Sequence, residues 1–119
     1  MKTRGKIVTL KKNKEFAFVY NRGKSLSSKL IVLVYFKNKY GGVKSGFSVS
    51  KKVGGAVLRN KIRRRLKESL RELIFDMDGN ASIIFIARPV IAQAPYAEIK
   101  AQMEYLLIKT GFLQKKEQT

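Results

Sequence analysis

Histidine and cysteine are both missing from this chain of 119 residues. Without cysteine there is no disulfide framework and no thiolate-held zinc. Without histidine the usual general base near neutral pH and the commonest metal ligand are gone, which argues against a self-sufficient nuclease. Acid is scarce as well: 8 Asp and Glu face 26 Lys and Arg, a formal net charge of +18. Self-repulsion of that size is tolerable when a polyanion neutralises it, so nucleic acid is the leading partner and an anionic membrane surface a distant second. Long hydrophobic runs are lacking too, since Leu30 to Phe36 and Ile83 to Ala87 fall far short of the roughly 20 residues a membrane-spanning helix needs. The start, MKTRGKIVTLKKNKEF, has basic residues but no sustained apolar stretch before a small-residue cleavage site, so a cytoplasmic protein is expected. The length suits one domain over 1–119, with residues 1–9 and 114–119 expected to be flexible basic tails.

What is present reads as α+β. A short helix capped by Asn13, running to about Tyr20 or Asn21 and closed by Gly23, sets Phe16, Val19 and Tyr20 on one face and leaves Phe18 off it. On residue type alone those aromatics are core. The run KLIVLVYFK, Lys29 to Lys37, is a strand apolar on both faces, with Leu30, Val32, Val34 and Phe36 pointing one way and Ile31, Leu33 and Tyr35 the other. Gly41-Gly42 suggests a hairpin to a returning strand over Val43 to Ser50, whose Phe47 and Val49 alternate with Gly46, Ser48 and Ser50. A long helix from about Gly55 to Phe75 follows, then the turn Asp76 to Asn80, a strand Ser82 to Ala87 stopped by Arg88-Pro89, and a last helix from Pro95 to Gly111. Asp76 and Asp78 fail the spacing of a calcium loop and read as a solvated helix exit. The expected order is α-β-β-β-α-β-α, in which the third strand before the long helix, near the start of the sheet, is left open.

The acids form no group that resembles a hydrolytic site. Glu68 and Glu72 lie one turn apart among cations, where ion pairs with Arg64, Lys67 or Arg71 account for them. The chemistry lies in the long helix instead. Lys51, Lys52, Arg59, Lys61, Arg63, Arg64, Arg65, Lys67 and Arg71 crowd one turn-and-helix unit whose stripe Leu58, Ile62, Leu66, Leu70 is apolar. A helix anchored on one side and cationic on the other is suited to phosphate, and the forked guanidinium suits phosphate oxygens better than an ammonium does. Asn60 within this block could read a base or sugar edge, or support a hydrated metal.

The stretch GFSVSKKVGGAVLRNKIRRRLKESLR, with LKKNKEFAFVYNRGKS before it and IIFIARP after it, resembles the protein subunit of bacterial ribonuclease P. The resemblance covers most of residues 10–90 in the right order. It implies a sandwich of a small mixed sheet with helices, of a ribosomal-protein-like type, in which the long helix makes an unusual left-handed crossover. It also implies a catalytic centre, holding Mg²⁺, that belongs to a large RNA, with no catalytic residue and no tightly bound metal on the protein. The expected partners are that catalytic RNA and precursor tRNA, with no membrane and no DNA. By position, Arg59, Asn60, Lys61, Arg63, Arg64 and Lys67 would contact RNA near the catalytic core. Phe16, Tyr20, Val32, Ser48, Ser50 and Lys52 would line a cleft for the single-stranded 5′ leader, where aromatics stack on unpaired bases. Lys61 stands where the family signature has an arginine. Val34 stands where relatives often carry an aromatic, and a one-residue shift would be needed for Tyr35 to replace it. A ribosome-associated structural RNA-binding protein would share the charge and the basic helix without needing an aromatic cleft. A helix-turn-helix factor would need a helix, not a strand, before the basic helix.

Overall fold

A computed structural model describes residues 8–114 apart from Lys11 and Tyr40. The tails expected to be flexible lie outside these residues save at their inner ends, and there the short strand β1, Val8–Thr9, joins the sheet. Helix α1 (Asn13–Arg22) follows, then strands β2 (Lys24–Ser27), β3 (Ile31–Lys37) and β4 (Val43–Ser48). Helix α2 (Ala56–Leu73) runs into a 3-10 turn, Ile74–Asp76, ahead of strand β5 (Ala81–Ala87). A second 3-10 turn, Pro89–Gln93, leads to helix α3 (Tyr96–Lys109). The expected α+β order is therefore present, with β1 added in front.

The strands form one mixed sheet in the order β1-β4-β5-β3-β2. The expected hairpin between β3 and β4 is not formed. Those two strands do run antiparallel, but β5 lies between them, antiparallel to β3 and parallel to β4. The reason is burial: ASIIFIA is apolar on both faces, so the centre of the sheet is the place where neither face meets water. Helix α2 makes the crossover between the parallel neighbours β4 and β5. The β4 strand also ends at Ser48, two residues earlier than the alternation suggested, and the Ser50 carbonyl instead accepts the Val53 N–H in the turn before α2.

One face of the sheet carries the larger core. Ile31, Leu33, Ile83 and Phe85 meet Ile62, Leu66 and Leu70 of α2 and Ile99, Met103, Leu106 and Leu107 of α3, all buried. Phe47 stacks on Phe85 with ring centroids 5.9 Å apart. Among the described residues the opposite face is covered by α1 and by Leu10 just before it, through a small cluster of Leu10, Val19, Val34 and Ile84. A helix only 10 residues long cannot roof a five-stranded sheet, so this face keeps uncovered flanks.

Gly23 closes α1 as expected, though not by a left-handed turn. Its backbone is extended, and a β-carbon there would stand 2.5 Å from the Val19 carbonyl oxygen and 2.7 Å from that of Tyr35. Asn13 is the first helical residue instead of the cap, which is Lys12.

Candidate nucleic-acid interface

The uncovered flank at the Ser48 end of the sheet brings together residues far apart in sequence. Ile86 of β5 pairs with Val32 of β3 on one side and Ser48 of β4 on the other, so these three side chains form a row on one face. Phe16 and Val32 are partly buried against the small cluster, while Tyr20, one turn further along α1, is 44 % exposed. The two rings lie 6.4 Å apart. The reading as core holds in part for Phe16, which packs on the small cluster, and not for the exposed Tyr20; Val19 fills the space under the helix. The Phe16 ring packs closely on Gly46, where a β-carbon would stand 2.7 Å from two of its ring carbons.

Of the residues expected to line a leader cleft, Phe16, Tyr20, Val32 and Ser48 share this flank. Ser50 and Lys52 do not stand on the strand; they are exposed in the turn that leads from β4 into α2. The register needs no shift at Val34, which is buried with Leu10, Val19 and Ile84 under α1. Tyr35 points to the opposite face and meets Phe112 edge to face at 5.7 Å. Sequence reading missed Ile86, although the two-residue period of ASIIFIA already sets Ile84 and Ile86 on one face. It also missed Arg88, which follows β5 and donates from Nη1 to the Ser28 carbonyl at 3.0 Å.

Along α2 each residue advances about 100° around the axis. The buried stripe is Ile62, Leu66, Ser69, Leu70 and Leu73. Opposite it Val57, Asn60, Arg63, Arg64 and Lys67 line one shallow depression of about 560 Å³. Asn60 Oδ1 accepts a hydrogen bond from Arg63 Nη1 at 2.9 Å, so it holds that guanidinium in place and keeps its own amide N–H groups outward. Arg59 sits at the edge of the buried stripe, half-buried, its Nε enclosed and without an acceptor. Lys61 is exposed and lies about 100° from Asn60 on the flank nearer α3. The helix therefore gathers four of the six expected residues in one depression and sets Arg59 and Lys61 on its two margins.

The acids of α2 do not neutralise that depression. Glu68 pairs with Arg71, one of its expected partners, at 3.2 Å, and Glu72 reaches across to Lys100 of α3, so neither engages Arg64 or Lys67. The hydrogen bond from Lys100 holds the Glu72 carboxyl below its ordinary pKa, and the same bond holds Lys100 above its own. Both acids are spent on structural pairs, which leaves a cationic surface suited to phosphate oxygens. Among the described residues no helix is long and apolar enough to cross a membrane.

Comparison with known proteins identifies the family and the fold. Residues 5–111 match the family model described as Ribonuclease P. A ribonuclease P protein component from Thermoanaerobacter sp. (strain X514) is 43 % identical over 107 residues, 90 % of this chain and 92 % of that protein. One from Clostridium botulinum (strain 657 / Type Ba4) is 48 % identical over 103 residues, covering 86 % and 93 %. Among solved structures, the RNase P protein of Staphylococcus aureus superposes with a TM-score of 0.83 at 32 % identity, over 92 % of this chain and 100 % of that one. The RNase P protein from Thermotoga maritima, at 24 % identity and a TM-score of 0.78, covers 85 % of this chain and 96 % of its own and shares the fold.

Proposed function

The chain belongs to the ribonuclease P protein family, a component of tRNA processing whose partner is RNA, and on that premise we propose how it divides its surface between two RNAs. The depression on α2, with Asn60, Arg63, Arg64 and Lys67, binds the catalytic RNA, and Arg59 and Lys61 flank that contact. The flank holding Phe16, Tyr20, Val32 and Ser48 takes the unpaired 5′ leader of precursor tRNA, with Ser50 and Lys52 at its exit toward α2. The observation that carries this reading is the exposed aromatic beside an apolar strand row: a packed core would have covered Tyr20, whereas an unpaired strand gives it a base to stack on, worth about 1 to 3 kcal/mol per base.

Mg²⁺ on the RNA supplies the cleavage chemistry in this division. The chain contributes binding and orientation. It holds the leader on one side and the catalytic RNA on the other. Fixing two reactants in one geometry removes the entropy cost of bringing them together. The phosphate charge neutralised by the protein lowers the Mg²⁺ concentration the complex requires.

The test is cleavage of precursor tRNA at low Mg²⁺ by a bacterial ribonuclease P RNA, with and without this protein, alongside the protein alone. Cleavage that needs both components is the expected result. Tight RNA binding without rescue would transfer the protein to the ribosome-associated class, and cleavage by protein alone would reveal a catalytic site of its own.

A further inference from the structure

Helix α1 has a second stripe. Lys14, Phe18 and Arg22 recur every four residues on the side away from Phe16 and Tyr20. Phe18 is 47 % exposed, an unusual expense for a phenyl ring unless something covers it. It meets Phe36 of β3 edge to face at 5.0 Å, and the Arg22 guanidinium lies 5.8 Å from its ring centre. Beneath this stripe a groove of about 770 Å³ opens between α1, the far end of β3, the start of β4 and the loop joining them. That size is typical of a site for a ligand of a few rings.

The walls of the groove are fixed and its charge is one-sided. Asn80 clamps the joining loop, accepting from the Gly42 N–H at 2.8 Å, while the Ala81 N–H donates to the Gly42 carbonyl at 3.0 Å. Lys14, Lys39 and Lys44 line the groove against a single carboxylate, Glu15. Lys37, next along β3, takes its ammonium elsewhere, 5.6 Å from the Phe112 ring centre.

We propose that this groove is a second binding site for unpaired RNA and takes the upstream part of a long leader; the proposal rests on reading the Phe16 flank as the leader cleft. Lysines set beside an accessible ring fit a phosphodiester strand with splayed bases, and a duplex, whose bases are already stacked, has no base face to give Phe18. A second copy of this chain is a poor occupant, because each copy carries a formal charge of +18. The leader is the unpaired strand already held on the other flank of α1, and only the width of one helix, about 10 to 12 Å, separates the two grooves.

The experiment uses the holoenzyme reconstituted with ribonuclease P RNA and two precursors, one whose leader just fills the Phe16 flank and one with a leader several times longer. The wild-type protein should bind the long-leader precursor more tightly. Phe18→Ala should remove that gain, a loss of about tenfold on the long leader, with the short-leader precursor and the affinity for catalytic RNA unchanged. A Lys14→Gln, Lys39→Gln, Lys44→Gln variant should lose the same gain and reduce the salt slope for the long leader by about 2, from about 0.7 per lost phosphate contact. Equal losses on both leaders, or none, would overturn the proposal. Weaker binding of the catalytic RNA would overturn it too, by giving the groove to that RNA. Phe16→Ala run in parallel separates the two readings: if it spares both precursors the cleft reading fails and the groove falls with it, whereas a Phe16 effect without a Phe18 effect sinks the groove alone.

Discussion

Gly46 decides where the Phe16 ring lies. An added β-carbon would meet two ring carbons at 2.7 Å and the Leu10 Cδ1 at 3.4 Å, so Gly46→Ala has to push Phe16 off the sheet. The overpacking should cost about 1 to 3 kcal/mol of stability. Leader-dependent affinity should fall by about tenfold through lost stacking. A thermal melt together with binding of precursor and mature tRNA measures both; a variant that keeps its preference for precursor would show that the ring position is immaterial. Sequence alone made Phe16, Val19 and Tyr20 one apolar face, since three- and four-residue spacing places all three together. What it could not show is how wide the sheet beneath is, and that width is why Val19 is buried while Tyr20 stays wet.

Helix α2 was the most legible element, because its 3.6-residue period fixes both the buried stripe and the opposite cationic depression. The same geometry separates neighbours in sequence. Arg64 stands within the depression and Lys61 on the margin toward α3, so Arg64→Ala should weaken binding of the catalytic RNA and reduce the salt slope by about 0.9, one phosphate contact. Lys61→Ala should change both by less than half as much. Filter binding across a salt series distinguishes them, and equal effects would mean that RNA wraps the whole helix. Sheet pairing was the least legible feature. Local pattern identified β3, β4 and β5 as strands, but the Gly41-Gly42 turn signal argued for a hairpin, and only the two-sided burial of β5 explains its place between them. The left-open strand near the start of the sheet is β2, Lys24–Ser27, and Val8–Thr9 ahead of α1 was not foreseen; four and two residues are too few for periodicity to mark.

For the whole molecule charge sets the environment in which the fold is stable. The radius of gyration is 13.6 Å, while the screening length is about 30 Å at 0.01 M salt and about 10 Å at 0.1 M. At the lower ionic strength nearly every cation repels every other across the molecule. The melting temperature of the free protein should therefore rise between those two salt concentrations, by about 4 to 8 °C for each ~1 kcal/mol of repulsion relieved. Calorimetry without RNA checks this, and a flat or falling trend would show that the charges are locally compensated. The place of β5 has a further consequence, for the time course of folding. Residues up to Asn80 contain β3 and β4 but not the strand that joins them, so a chain growing from its N-terminus holds two unpaired edges until nearly three-quarters of it has been made. Such a topology links residues distant in sequence and closes late and all at once. Until then the nascent protein is a basic polymer with exposed strand edges, most open to mispairing just before β5 is made.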